Sequence, residues 1–354
     1  MTNDLDFFQL NGARRLDSYD PPPPLFDPPT NEDPEPNGVE LDYEIPKEQW
    51  EQWKARSVGW TSNWCPEEWA ERPMRFIDGK DVGQTIAWLR APGGYPVPVR
   101  LSEIGSVDVR VEDGVCRREN AVVERVVSMV VNAFPWDEIE SLAAALQRHG
   151  FRLLPAKPPG GQLSYDFEEM RKAAQNRSND EMTVLEEAVL SQAHLSPTVV
   201  DGRLEPRSGG FNQYNSPVVG VIKTQRDNYL HPLGLQLLYQ LQIGERTPLF
   251  LLKDKSPQIV SWFLRLSGAN GSMPNWGIVR IEVPRKWFEG LAQADQTSYV
   301  MQLCRLLCTY RCRDKEYSRA AVSLHPIVRG ERLLGALFTP SNRLIQHFYH
   351  LTNL

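Results

Sequence analysis

The chain has 354 residues, of which 41% are hydrophobic and 24% charged, with a net charge of −6 at pH 7. That make-up belongs to a globular protein with a sizeable core, and its acidic total excludes wholesale electrostatic coating of nucleic acid while leaving room for a local basic groove. No apolar run approaches the ~20 residues of a bilayer span, and the start MTNDLDFFQLNGARRLD lacks the apolar stretch of a secretory signal, so a cytoplasmic protein without membrane association is expected.

Residues 1–45 are rich in proline and acidic residues. The run PPPPLFDPPTNEDPEPNG cannot form a helix or a central strand, because proline lacks the donor and fixes φ. It reads as an extended arm or linker, with two apolar spots, Phe7–Phe8 and Leu25–Phe26, able to pack onto a body or a partner. From residue 46 to 354 the pattern is that of one folded domain. EQWEQWKARSVGW and PEEWAER predict a Trp-rich helical lead-in. MRFIDGK reads as a strand ending on Asp-Gly, and TIAWLRA and PVPVRLSEIGSVDVRVEDG add β-rich segments, giving a meander of about three strands. Asp113-Gly114 fits a plain hairpin turn.

The apolar spacing predicts a helix between Ala121 and His149 and, after the loop PAKPPGGQ, a long helix from about Tyr165 to His194. SPTVVDGRL follows as a short strand that also ends on Asp-Gly. SPVVGVIKT, PLFLLKD and NWGIVRIEVPRKW read as further strands, the last stopped by Pro284. A helix over about Ser298–Arg311, the segments AAVSLHPIV, in which AAVSL reads as a strand, and LLGALF, and a last helix near Ser341–Leu351 complete the chain, with no internal repeat. A strand meander followed by alternating helices and strands predicts an α/β fold, an RNase H-like mixed sheet flanked by helices.

The five cysteines are Cys65, Cys116, Cys304, Cys308 and Cys312. The last three recur at i, i+4, i+8 and are expected to form a buried helix stripe of reduced thiols, not a metal or iron–sulfur site.

Two strands end alike, FIDG at Phe76–Gly79 and VVDG at Val199–Gly202. If they are neighbours, Asp78 and Asp201 converge at one edge of the sheet, where open α/β sheets bind ligands. Oxygen ligands suit Mg²⁺ or Mn²⁺, and such cations activate a water against a phosphodiester. Asp-Gly is also ordinary turn chemistry, so the pair, and neither motif alone, carries this reading. The long helix before Asp201 offers Glu181, Glu186 or Glu187 as a further acidic ligand, with Glu181 taken first. Lys223 ends the strand VVGVIK and is placed to face a phosphate. Other basic candidates are Arg203, Arg207, Arg226, Arg311, Arg313, Arg319 and Arg329. His325 lies eight residues after Tyr317, and an imidazole can ligate a metal or transfer a proton.

In this order the segments resemble the NurA nuclease family. FIDGKD is similar to its first Asp-Gly motif, and the helix with Arg177 and Glu181 follows. TVVDGRL, PVVGVIKT, VRIEVP (Val279–Pro284) and YSRAAVSLH (Tyr317–His325) resemble the later motifs, over about Phe76–Gly335. Ser318, Leu324 and Lys80 depart from residues common in the family. The resemblance implies an RNase H-like core and a Mn²⁺- or Mg²⁺-dependent deoxyribonuclease, a 5′–3′ exonuclease and single-strand endonuclease. It also implies a homodimer and a HerA-type hexameric ATPase that feeds DNA to it in end processing or defence. Asp78, Glu181, Asp201 and His325 are the implied metal ligands, with Tyr317 in the catalytic set. Lys223 and Arg203 are expected to contact phosphate. The alternative is a catalytically inactive RNase H-like scaffold docked on the ATPase. A guide-dependent nuclease of the Piwi type would need further domains that this length does not accommodate.

Overall fold

The computed structural model describes residues 4–15, 39–40, 53–192, 196–204, 217–223, 230, 232–252, 258–268 and 274–354. Near the N-terminus, a short helix α1 (Phe7–Leu10) and a two-residue strand β1 (Arg14–Arg15) lie on the body. Leu5 and Phe8, within the segment expected to form the arm, are fully buried, and the Phe8 ring meets Phe348 edge-on at 5.4 Å. Leu25–Phe26 lie outside the described residues. Two further short strands lie at the sheet margin, β2 (Val39–Glu40) paired with Leu251–Leu252 and β3 (Arg56–Ser57) paired with Glu245–Arg246. The expected Trp-rich helix is absent among the described residues: residues 53–72 run through β3 and one 3₁₀ turn, Pro66–Glu68. There the Trp side chains pack onto other elements, Trp60 donating its Nε1–H to Thr309 Oγ1 at 3.0 Å.

The meander is built from β4 (Arg75–Arg90), β5 (Pro96–Glu112) and β6 (Val115–Val130), all antiparallel. The β5–β6 turn puts Asp113 at φ 49° and Gly114 at φ 72°, the paired positive dihedrals of a tight hairpin. The sequence reading differs from this at two points. FIDG and TIAWLRA belong to one 16-residue strand, so Asp78 lies inside β4 and not at its end. Residues 121–130 continue β6, and only Trp136–Arg148 forms helix α2. AVVERVVSMV carries apolar residues at helical as well as strand spacing because both faces of this strand are covered, which hides the two-residue period.

Beyond α2 come β7 (Arg152–Ala156), parallel to β6, and the long helix α3 (Phe167–Ser191). Asp166 caps α3 by accepting from the N–H groups of Glu168 and Glu169. The chain continues with β8 (Thr198–Asp201), β9 (Val218–Ile222), helix α4 (Pro232–Gln240), β10 (Glu245–Arg246), β11 (Phe250–Leu252), β12 (Ile259–Arg265) and β13 (Ile278–Pro284). The helices α5 (Arg285–Glu289), α6 (Gln293–Thr309), α7 (His325–Gly335) and α8 (Ser341–Thr352) complete it. AAVSL, read as a strand, holds a 3₁₀ turn (Ala320–Val322) leading into α7. Pro326 in the first turn favours a helix start, since its missing N–H is unpaired there anyway.

The main sheet order is β2-β11-β12-β13-β9-β8-β4-β5-β6-β7. Within it β6-β5-β4-β8-β9 forms the core, with the meander antiparallel and β4, β8 and β9 parallel. This is the mixed sheet with flanking helices that the sequence predicts. Helix α3 covers one face, through Leu185 against Ile104 and Val126. Helix α7 covers the other, through Leu334 against Val107 and Val109. Gly330 permits the close approach of α7, because a Cβ there would lie 3.1 Å from Val107 Cγ1. The three cysteines are buried as expected: Cys304 and Cys308 on α6 and Cys312 just beyond it. No described helix is long and apolar enough to cross a membrane.

Candidate metal centre

Asp78 and Asp201 meet because of register. In the parallel pair β4–β8, Phe76 lies beside Val199 and Ile77 beside Val200, so the next position on each strand is an aspartate. Registered neighbours point to the same face at an inter-strand spacing of about 4.8 Å, and here that is the α7 face. From α7 comes a third carboxylate, Glu331. One oxygen each of Asp78, Asp201 and Glu331 lies within 4.8 Å of the other two.

The electrostatics of this cluster are unfavourable on their own. Asp78 is 4% exposed, and its Oδ2 has no hydrogen-bond partner. Burial, and next the charge of Asp201, push its carboxyl well above the ordinary range; Lys223 opposes this, while Glu186 and Glu331 add to it. The Lys223 side chain follows β9 on the same face and places Nζ 2.6 Å from Asp201 Oδ2, itself only 3% exposed. One buried ammonium is thus set against several carboxylates. A buried, unpartnered carboxylate oxygen among two more carboxylates is a donor set for a hard divalent cation. These residues fit a Mg²⁺ or Mn²⁺ ion.

Glu186 approaches from the opposite face of the sheet. Its carboxylate accepts from the Gly79 N–H, and burial, followed by the nearby Asp201 charge, raises it to about 8. Gly79 explains the second half of the FIDG motif: a Cβ there would lie 2.6 Å from Glu186 Oε1. The glycine makes room for a carboxylate, and no turn is involved.

Of the expected helix ligands, Glu181 is not at this site. It lies between Arg152 Nη2 at 2.6 Å and Arg177 Nη2 at 2.7 Å. Burial opposes ionisation there, but the two arginines prevail and hold its carboxyl below the ordinary range. Five residues of helix separate it from Glu186, about 140° of rotation and ~7.5 Å of rise, so both cannot reach the same point. Glu187 is buried on the same helix and has partners of its own. His325 is also displaced from the cluster. It is exposed at the start of α7, where its backbone N–H donates to Tyr310 O at 2.6 Å. It is separated from Glu331 by about 120° around the helix and ~9 Å along it.

Tyr317 does reach the centre, though through a protein group: its hydroxyl donates to Glu331 Oε2 at 2.7 Å. Arg203 is half-buried on the turn after Asp201 and engaged by a neighbour. Arg319 and Arg329 are exposed, and Arg207 and Arg226 lie outside the described residues. VRIEVP contributes support. Arg280 Nη1 pairs with Glu282 Oε1 at 2.7 Å, both side chains 1% exposed, and Glu282 Oε2 accepts from the Leu204 N–H at 2.9 Å. This ties down the turn that carries Asp201. Lys80, the departure from the resembled motif, reaches the last turn of α7, its Nζ 3.4 Å from where a Cβ on Gly335 would sit. A cation there complements the carbonyl end of the helix.

Glu331 was not among the residues singled out from sequence, and Glu186 stood only as an alternative to Glu181. Both carry a legible signal. In α7 the buried stripe Ile327, Val328, Leu334 includes position 331, and in α3 the stripe Leu185, Val189, Leu190 includes position 186. An acid in an apolar stripe needs a compensating partner.

No family model matches the chain. No curated protein matches it. Among solved structures it is similar to the NurA nuclease from Sulfolobus solfataricus, at 11% identity and a TM-score of 0.44, over 88% of this chain and 90% of that one. At that identity and TM-score the function has to be argued from the side chains of the site.

Proposed function

We propose that the chain is a divalent-metal-dependent nuclease that hydrolyses DNA phosphodiesters. The observation that carries the reading is the buried, unpartnered Asp78 oxygen grouped with Asp201 and Glu331. These three carboxylates would hold the cation, Mn²⁺ or Mg²⁺. When bound, such a cation supplies Lewis acidity to a phosphate and makes a water acidic enough to attack near neutral pH.

The chain's own groups supply the rest. Asp78 and Asp201 are held side by side by strand register, so their oxygens are preorganised. Lys223 sets a positive charge 2.6 Å from Asp201, where it would offset the charge of a phosphate held beside the carboxylates. Glu186, its carboxyl raised by burial to about 8, packs behind Gly79 on the opposite face of the sheet and backs the strand that carries Asp78. Arg319 and Arg329 are exposed on the α7 side and are assigned to the flanking backbone. An inactive scaffold would have no need of so costly a grouping of carboxylates.

The motif resemblance extends the proposal to a homodimer working with a HerA-type hexameric ATPase, in DNA end processing or defence, with 5′–3′ exonuclease and single-strand endonuclease action. The test is cleavage of end-labelled single- and double-stranded DNA with Mn²⁺, Mg²⁺ or EDTA, comparing wild type with Asp201→Ala. Cleavage that needs metal and is lost in the variant is the expected result. Metal-dependent cleavage of equal rate in Asp201→Ala sinks the assignment. If neither protein cuts, the assay is repeated with the ATPase, and inactivity there too refutes the enzyme.

A further inference from the structure

Glu331 reaches the centre from a helix on one face of the sheet, while Asp78 and Asp201 are fixed by the sheet itself. Its side chain has three rotatable bonds and is only partly buried, so packing alone does not define where its oxygens lie. The group that does so is outside the carboxylate cluster. Tyr317, in the turn before α7, places its hydroxyl 2.7 Å from Glu331 Oε2.

That turn is itself anchored to α7. The Ala320 N–H donates to Tyr317 O at 2.9 Å, the Cys312 N–H to Ser323 O at 2.7 Å and the His325 N–H to Tyr310 O at 2.6 Å. Asp314 and Arg332 form an ion pair between the turn and the outer side of the helix. Tyr317 therefore donates from a backbone that moves with α7, and one O–H orients the carboxylate towards Asp78 and Asp201.

We infer that Tyr317 is the positioning residue of the metal centre, fixing Glu331 as third ligand and setting the affinity for the divalent cation. This rests on the metal-site reading above and assigns the tyrosine to the carboxylate, not to the phosphate. An outer-shell hydrogen bond to a ligand typically governs metal affinity by about 10–100-fold. A tyrosine that only packs the turn would affect stability and leave that affinity unchanged.

The experiment uses the full chain and Mn²⁺ alone, without DNA. Melting temperature is followed against Mn²⁺ concentration for wild type, Tyr317→Phe, Glu331→Gln and the double variant, with each melt in EDTA as the fold control. The midpoint for Tyr317→Phe is expected to rise at least about 10-fold, and adding Tyr317→Phe to Glu331→Gln is expected to change nothing further. An unchanged midpoint in Tyr317→Phe, or a full additional loss in the double variant, overturns the inference. Absence of any Mn²⁺ effect on wild type overturns it together with the metal site. Wild type that binds Mn²⁺ but cuts no DNA leaves the positioning role intact and removes only the nuclease reading.

Discussion

Glu186 makes the stability of the metal-free protein depend on pH in a way that one substitution can isolate. Burial, with the Asp201 charge second, raises its carboxyl from 4.5 to about 8. In the unfolded chain it ionises near its ordinary value, so between about pH 4.5 and 8 the native state holds a proton that the unfolded state has lost. Stability from this group is then fully present below pH 4.5 and declines as pH rises, by about 1.4 kcal/mol per unit. The shift spans roughly 3.5 units, or about 5 kcal/mol in total. Asp78 is displaced in the same direction and steepens the wild-type slope, so the informative quantity is the difference between proteins. Glu186→Gln keeps an oxygen to accept from the Gly79 N–H and cannot ionise. Urea unfolding in EDTA at pH 5, 6, 7 and 8 should show the variant gaining on wild type by about 1.4 kcal/mol with each unit. Parallel wild-type and variant curves would refute the argument, since they would mean that Glu186 ionises as readily folded as unfolded.

Further outcomes follow from the same geometry. Gly79→Ala brings a Cβ to 2.6 Å from Glu186 Oε1 and should cost about 1–3 kcal/mol; in a double-mutant cycle with Glu186→Ala most of that cost should vanish, and simple additivity would count against the contact. Asp78→Asn removes one ligand and one unpartnered buried carboxylate, so DNA cleavage should fall at least ~100-fold while the melting temperature in EDTA holds or rises. Glu282→Gln weakens the buried pair with Arg280 and should lower stability by about 3 kcal/mol or more, read by urea unfolding, with Mn²⁺ affinity falling as the Asp201 turn loosens. Cys304 and Cys308 are buried, and burial pushes both thiols up, Cys304 to about 11. Thiol reagents should leave both unlabelled in the native protein and modify them only in urea.

Much of this chain can be read from its sequence because the relevant physics is local. The meander, the Asp113-Gly114 hairpin, α3, the short strands β8 and β9, the stop at Pro284 and the buried cysteine stripe all follow from periodicity and turn chemistry over a few residues. Asp78 and Asp201 were also legible as a pair, since two apolar runs end on the same dipeptide. Where local signals conflict with burial, the tertiary structure decides. It carries β4 through Asp78-Gly79 because Glu186 fills the space a side chain would need. It makes β6 a strand across a helix-like apolar pattern because helices lie on both of its faces. The choice of acidic side chains is likewise tertiary. Glu181, Glu186 and Glu187 share one helix and are indistinguishable by propensity, yet Arg152, brought alongside by β7, claims Glu181, while Gly79, brought by β4, receives Glu186. Glu331 lies 253 residues from Asp78 in the chain, and only the packing of α7 on the meander, permitted by Gly330, brings their carboxylates together. Local periodicity and turn chemistry specify α3 and the β5–β6 hairpin within the sequence itself. Which charges share a site depends on long-range packing and dielectric, and no local pattern encodes either.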